Sequence, residues 1–194
     1  MSDHYYSNKP ETLSHEQEIS IEFRDRRYRF ITDHSVFSKT RFDHGSRILL
    51  ETVMDELEGP VLDFGCGYGP IGILISDQRG LDVSLSDINE RAIHLTRKNA
   101  LLNHREVKAL LSDGFSSIEG SFSSILMNPP IRIGKERIYS FFKEAKDYLT
   151  EGGALYIVIQ KKQGAKSALA FLEEIYPEVI TLNRQSGYHV FRCR

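Results

Sequence analysis

The 194-residue chain carries 25 Lys and Arg against 27 Asp and Glu, is 40% hydrophobic and 27% charged, and holds two cysteines, Cys66 and Cys193. That composition excludes a disordered chain and a disulfide scaffold, and a net charge of −2 gives no global signature of a nucleic-acid binder. No apolar run could span a bilayer, and the polar opening MSDHYYSNKP is no signal peptide, so one domain in a reducing cytoplasm is expected, with monomer and homodimer both left open.

Two alternating runs in residues 18–32, EISIEFRDRRYRFIT, flank a polar break at 25–27 and predict a β-hairpin. We assign residues 1–35 to an extension carrying this hairpin and 36–194 to the main domain. A helix is expected over about 44–57, stopped by Gly59 and Pro60. From there strands and helices alternate. Strands are expected at 60–64, 82–87, 106–113, 121–128 and 154–160. Helices are expected at about 70–78, 89–103 with Asn89 as its cap, 136–149 closed by Gly152 and Gly153, and 165–176. The last two strands, 178–183 and 187–194, are separated only by RQSG, too short for a crossover helix, so they must pair antiparallel. The fold class is therefore α/β, a mostly parallel Rossmann-like sheet with helices on both faces and one antiparallel strand from a C-terminal hairpin.

The loop after the first parallel strand reads VLDFGCGYGPIG. Its glycines at 65, 67 and 69 lie where missing side chains let a ligand approach the backbone. Gly67, Gly69 and Gly72 match G-x-G-x-x-G, and Asp87 follows twenty residues after Gly67, as in a dinucleotide site. Asp63 argues against that reading, since its carboxylate would repel a pyrophosphate. It favours a ligand with a cationic end. Asp87 is placed to accept both ribose hydroxyls, and Asp113 to accept from an adenine amino group with Phe115 against the ring. Three carboxylates at three successive strand ends fit a nucleoside bearing an amino-acid tail, S-adenosylmethionine. The bland alternative is that strand-end aspartates only form turns and caps.

With these residues the chain resembles the class I S-adenosylmethionine-dependent methyltransferases of the small-domain family, and within them the ribosomal RNA guanine-N2 enzymes. The resemblance rests on VFSKTRFDHGSRILLE (36–51), LDFGCGYGPIG, LSDIN and NPPIRIGK. It implies seven sheet strands in the order 3-2-1-4-5-7-6 with strand seven antiparallel. It also implies a cofactor site built from Asp63, Gly65, Cys66, Gly67, Gly69, Asp87, Ile88, Asp113, Gly114, Phe115 and Asn128. The segment 36–46 would fold over the cofactor, with Phe37 and Lys39 as contacts and Asp43 as a helix cap.

The same resemblance makes Asn128, Pro129, Pro130 and Ile131 the catalytic lip. An aromatic exocyclic amine is a poor nucleophile because its lone pair is delocalised into the ring. Two acceptors at its hydrogens, the Asn128 side-chain oxygen and the Pro129 carbonyl, hold the nitrogen and stabilise the positive charge that develops on it. Ile131 stands where relatives often carry an aromatic residue against the target base. Phe37 and Tyr139 are candidate replacements, although Tyr139, near Phe141 and Phe142, equally suits the core.

Open parallel sheets hold ligands at the carboxyl ends of their strands. Arg132 and Lys135 follow the fourth strand and Lys161 and Lys162 the fifth, which places these substrate-binding candidates on one rim suited to RNA phosphates, with ribosomal RNA as the expected partner and no membrane. The four arginines of RDRRYR in the hairpin are expected to extend that rim. The leading function is RNA N-methylation at guanine N2. Adenine N6 or a protein glutamine amide are alternatives of the same chemistry, and a nicotinamide-dependent oxidoreductase or a non-catalytic RNA-binding module are alternatives of another class.

Overall fold

The computed structural model describes residues 15–33 and 41–194. Strands β1 (Gln17–Phe23) and β2 (Arg26–Thr32) form the expected antiparallel hairpin, turning at Arg24 and Asp25. The chain continues through α1 (His44–Val53), β3 (Val61–Phe64), α2 (Pro70–Arg79), β4 (Val83–Asp87), α3 (Glu90–Leu102), β5 (Lys108–Leu111), β6 (Phe122–Met127) and α4 (Lys135–Glu144). It closes with β7 (Leu149–Gln160), α5 (Ala165–Ile175), β8 (Val179–Gln185) and β9 (Tyr188–Cys193). The main sheet runs β5-β4-β3-β6-β7-β9-β8, parallel except at β9, which pairs antiparallel with both neighbours. The expected order and the expected parallel and antiparallel pairing are both present.

Alternation along the central strands sorts the core into two layers. Val61, Leu126, Tyr156 and Val158 face α1, α2, α3 and the hairpin, whereas Leu62, Ile125, Met127, Leu155 and Ile157 face α4 and α5. Ile21, Phe23, Tyr28 and Phe30 of the hairpin belong to the first layer, so β1 and β2 share the core of the main sheet. Each fully buried Leu or Ile side chain contributes roughly 1.5–3 kcal/mol here.

Several element ends differ from expectation. Helix α1 stops at Val53 rather than 57, because the Arg79 guanidinium captures the carbonyls of Met54 and Leu57 and turns the chain into β3. Helix α4 ends at Glu144 in a 3-10 turn, Ala145–Tyr148. Strand β7 then begins at Leu149 and runs through Gly152 and Gly153, which mark a register shift opposite Phe122 instead of a helix stop. A Cβ on Gly153 would lie 3.0 Å from the carbonyls of Phe122 and Thr150.

Gly72 sets the distance between α2 and the sheet. A Cβ there would meet the Leu85 side chain at 2.5–3.1 Å, and its amide donates to Asp63 Oδ2 at 2.9 Å. Gly72→Ala is therefore expected to destabilise the fold by about 1–3 kcal/mol through overpacking. Chemical denaturation of the two proteins checks this, and equal midpoints would show that the helix moves away freely.

Candidate active site

The carboxyl ends of β3, β4 and β6 converge on one crevice. Asp63 is level with Leu85 of β4 and Leu126 of β6, so Asn128, two residues beyond Leu126, stands across from the glycine loop. Asp63 is only 2% exposed, and burial pushes its carboxyl up to about 7, opposed by the Gly72 amide and assisted by the charge of Asp87. A buried carboxylate with one backbone donor is poised for a cation.

The glycine loop is fixed from three sides. The amides of Gly65 and Cys66 donate to the Ser86 carbonyl, and that of Gly67 donates to Asp87 Oδ2 at 2.9 Å. Asp87 Oδ1 takes the Asn89 amide, and Asn89 caps α3 as expected. Burial raises the Asp87 carboxyl, opposed by the Asn89 and Gly67 amides. From α3, Thr96 donates to the Gly67 carbonyl at 3.0 Å and Asn99 to that of Tyr68 at 2.9 Å. Composition gave no signal for Thr96 and Asn99; their spacing of three on the inner face of a helix is visible only once that helix is placed. Gly65 (φ 75°) and Gly67 (φ 58°) are left-handed, and a Cβ on either would point into open space, leaving the backbone bare to a ligand.

Cys66 is buried beside Thr96, and burial together with Asp87 and Asp63 pushes its thiol well up, so it stays protonated. Ile88 follows β4 half-buried at the same end of the sheet. The Tyr68 hydroxyl is buried with no partner among the described residues; burial and the nearby Asp43 hold it protonated, an unused donor beside the crevice.

Asn128 is held by its amide nitrogen. Nδ2 donates to Asp43 Oδ2 and to Ser46 Oγ, both at 2.9 Å. Asp43 Oδ2 also accepts the Ser46 amide at 2.8 Å, so the cap of α1 doubles as the anchor of this side chain. A carboxylate only accepts, which fixes the amide orientation: nitrogen towards Asp43, oxygen away from it. Nothing among the described residues donates to Oδ1 or to the Pro129 carbonyl, while the Pro130 carbonyl takes the Ile133 amide in a 3-10 turn, Ile131–Ile133. Two acceptors without a donor among the described residues thus belong to successive residues at the end of a central strand, half-buried Asn128 and buried Pro129.

Asp113 and Gly114 lie beyond β5, with Gly114 left-handed at φ 59° and in close reach of Phe141. Asp113 is exposed and ion-paired with Arg137 across a recess of about 470 Å³. Phe115 departs from expectation. It is 3% exposed, stacked on Phe64 at 4.5 Å and on Tyr148 at 4.6 Å, so it offers no ring face to a ligand and serves the core. Tyr139 is likewise taken up, stacked on Phe171 at 4.2 Å. Phe37 and Lys39 lie outside the described residues.

Arg132, Lys135, Lys161 and Lys162 are exposed at the carboxyl ends of β6 and β7, and none forms an ion pair among the described residues. The hairpin arginines do not join them. Arg24 pairs with Asp55, Arg26 with Asp77, Arg27 with Glu22 and Arg29 with Glu18. Asp77 lies in the last turn of α2, which starts at the rim and runs away from it, so the hairpin turn sits at the opposite end of the sheet.

Among known proteins, the chain is similar over its whole length to YbxB of Bacillus subtilis, at 44% identity and 99% of that protein. It is 37% identical over 75% of its length to ribosomal RNA small subunit methyltransferase C of Haemophilus influenzae, but spans only 42% of that enzyme. In structure it superposes with a TM-score of 0.84 and 25% identity on a T. thermophilus 16S rRNA guanine-N2 methyltransferase in complex with AdoMet and guanosine, covering 95% of this chain and 52% of that one. The chain thus spans about half the length of these ribosomal RNA methyltransferases. Residues 27–192 match the methyltransferase small domain, and the chain belongs to that family.

Proposed function

We propose that the protein is an S-adenosylmethionine-dependent N-methyltransferase acting on an exocyclic amine of RNA, with guanine N2 of ribosomal RNA as its target. The observation that carries this reading is the Asn128 amide, whose nitrogen is held by Asp43 and Ser46 so that Oδ1 is left to accept from a substrate amine. The residues fit the cofactor. Asp63 would face its cationic end, the free lone pairs of Asp87 would take the ribose hydroxyls, and bare Gly65 and Gly67 would admit it against the backbone. Bound there, S-adenosylmethionine supplies an electrophilic methyl group.

The chain's own part is positioning and electrostatics. Asn128 Oδ1 and the Pro129 carbonyl accept the two amine hydrogens and aim the nitrogen, as positive charge develops on it. The proton then leaves to water, so no strong general base is required. Similarity to the ribosomal RNA enzymes supports guanine N2 as the amine. Nucleoside mass spectrometry after incubation with S-adenosylmethionine and ribosomal RNA from a strain lacking the gene tests it. N2-methylguanosine is expected; N6-methyladenosine or a methylated protein glutamine instead would overturn the assigned target.

Phosphate-led binding also predicts a salt dependence. The plot of log affinity against log salt is expected to lose about 0.7 in slope for each phosphate contact removed by Lys161→Ala or Arg132→Ala. A slope identical to that of the parent protein would remove these residues from the interface.

A further inference from the structure

A recess of about 520 Å³ opens at the carboxyl end of β7, lined by Arg41, Phe42, His44, Gln160, Ser186 and Tyr188. It lies one residue from the catalytic lip, because Phe42 and His44 flank the Asp43 that holds Asn128. Tyr188 packs so closely over Gly45 that a Cβ there would stand 2.8 Å from its ring. The rings of His44 and Tyr188 meet edge to face at 5.7 Å, forming a polar-edged aromatic wall, with buried Phe42 beside it. The turn carrying Ser186 is tied to the rim by the Lys161 amide, which donates to the Gly187 carbonyl at 2.7 Å. Cations border the opening, with one carboxylate behind it. Burial and then the Asp43 charge raise the Tyr188 hydroxyl, opposed by Arg41, and His189, lowered first by burial, is lowered further by Arg184 and Lys161. The lining includes no carboxylate.

Aromatic faces bordered by cations are what single-stranded nucleic acid needs, the rings for bases and the cations for phosphates. We propose that this recess receives one nucleotide of the RNA strand that carries the target amine, its base against Tyr188 and His44 and its phosphate towards Arg41 and Lys161. Tyr188 then supplies the aromatic surface that Ile131 does not bring and that Tyr139 has given to the core. The inference rests on the RNA methyltransferase reading above.

The test uses the full chain and a short single-stranded RNA with 2-aminopurine in place of its guanines, whose fluorescence falls when it stacks on an aromatic ring. Tyr188→Ala is expected to weaken RNA binding about tenfold and to abolish the quenching, because a stacked base loses its platform. Tyr188→Phe should bind within about twofold of the parent and quench as it does, since the ring face is kept. S-adenosylmethionine affinity by calorimetry reports whether each variant is folded. Should Tyr188→Ala lose that affinity as well, Arg41→Ala decides: a salt slope shallower by about 0.7 supports the recess, and an unchanged slope overturns it. RNA affinity and quenching by a folded Tyr188→Ala equal to the parent's would also overturn it. Failure of the parent protein to bind RNA would instead sink the underlying reading, and the recess with it.

Discussion

Asn128→Ala is expected to lower kcat by about 10²–10³-fold while leaving S-adenosylmethionine affinity within a few-fold. The substitution removes one of two preorganised acceptors, and the cost falls on the transition state because only there does the amine nitrogen become positive. Asp43→Asn makes the same point from behind. An asparagine at 43 can turn either its oxygen or its nitrogen towards Asn128, so the amide loses the fixed orientation that a carboxylate imposes. Losing a hydrogen bond to a charged acceptor predicts a fall in kcat on the order of tenfold. KM for RNA should hardly move in Asp43→Asn, whereas a merely destabilised protein would lose kcat and cofactor affinity together. Steady-state kinetics with calorimetry on the same preparations separates the two outcomes.

The second large effect belongs to Asp63. Asp63→Asn keeps the shape of the side chain and its bond to Gly72 but removes the charge that would face the cofactor's cation. Cofactor affinity is expected to fall about 10²-fold, the usual consequence of deleting one partner of a desolvated pair. The pH dependence follows from the raised carboxyl, about 7 in the fold against an ordinary value of 3.8. Between those limits the folded free protein holds a proton that the unfolded chain has released. Its stability contribution therefore falls as pH rises through that window and levels off above about 7. A cationic ligand prefers the ionised form. Affinity should rise with pH up to about 7, by at most about tenfold per unit, with proton release on binding near pH 6. Calorimetry at pH 6 in buffers of different ionisation heat measures that proton, and its absence in Asp63→Asn assigns it. Proton release of equal size in both proteins would place the titrating group elsewhere.

Much of this was legible before any coordinates. The succession of elements and the parallel sheet followed from alternating short apolar runs and helical stripes, because a parallel sheet imposes both the hydrophobicity and the crossovers. The order of strands within the sheet came with the family resemblance. The C-terminal antiparallel pair followed from a linker too short for a helix. The glycine loop and the strand-end carboxylates could be located because their neighbours in sequence are their neighbours in space. What escaped was whatever depends on contacts between distant segments. Phe115 follows Asp113 and Gly114 in sequence, yet its ring turns inward onto Phe64 and Tyr148. The hairpin arginines look like a nucleic-acid patch until Asp55 and Asp77 are brought to them by the fold. Asp43 read as a helix cap, which it is, but its second bond reaches Asn128 across 85 residues. No local pattern encodes that.

One asparagine joins the amino-terminal hairpin to the glycine loop. Asn99 exchanges bonds with the Ile31 backbone, accepting its amide at 2.6 Å and donating to its carbonyl at 2.9 Å, while the same side chain grips the Tyr68 carbonyl. The family match begins at residue 27, within β2. A truncation drawn at that boundary would strip β1 away, unroof Phe30 and Tyr28, and slacken the bend that presents Gly67. A unit that keeps this packing accordingly starts ahead of the shared family region, and the hairpin acts as a brace on the glycine loop rather than as an appendage.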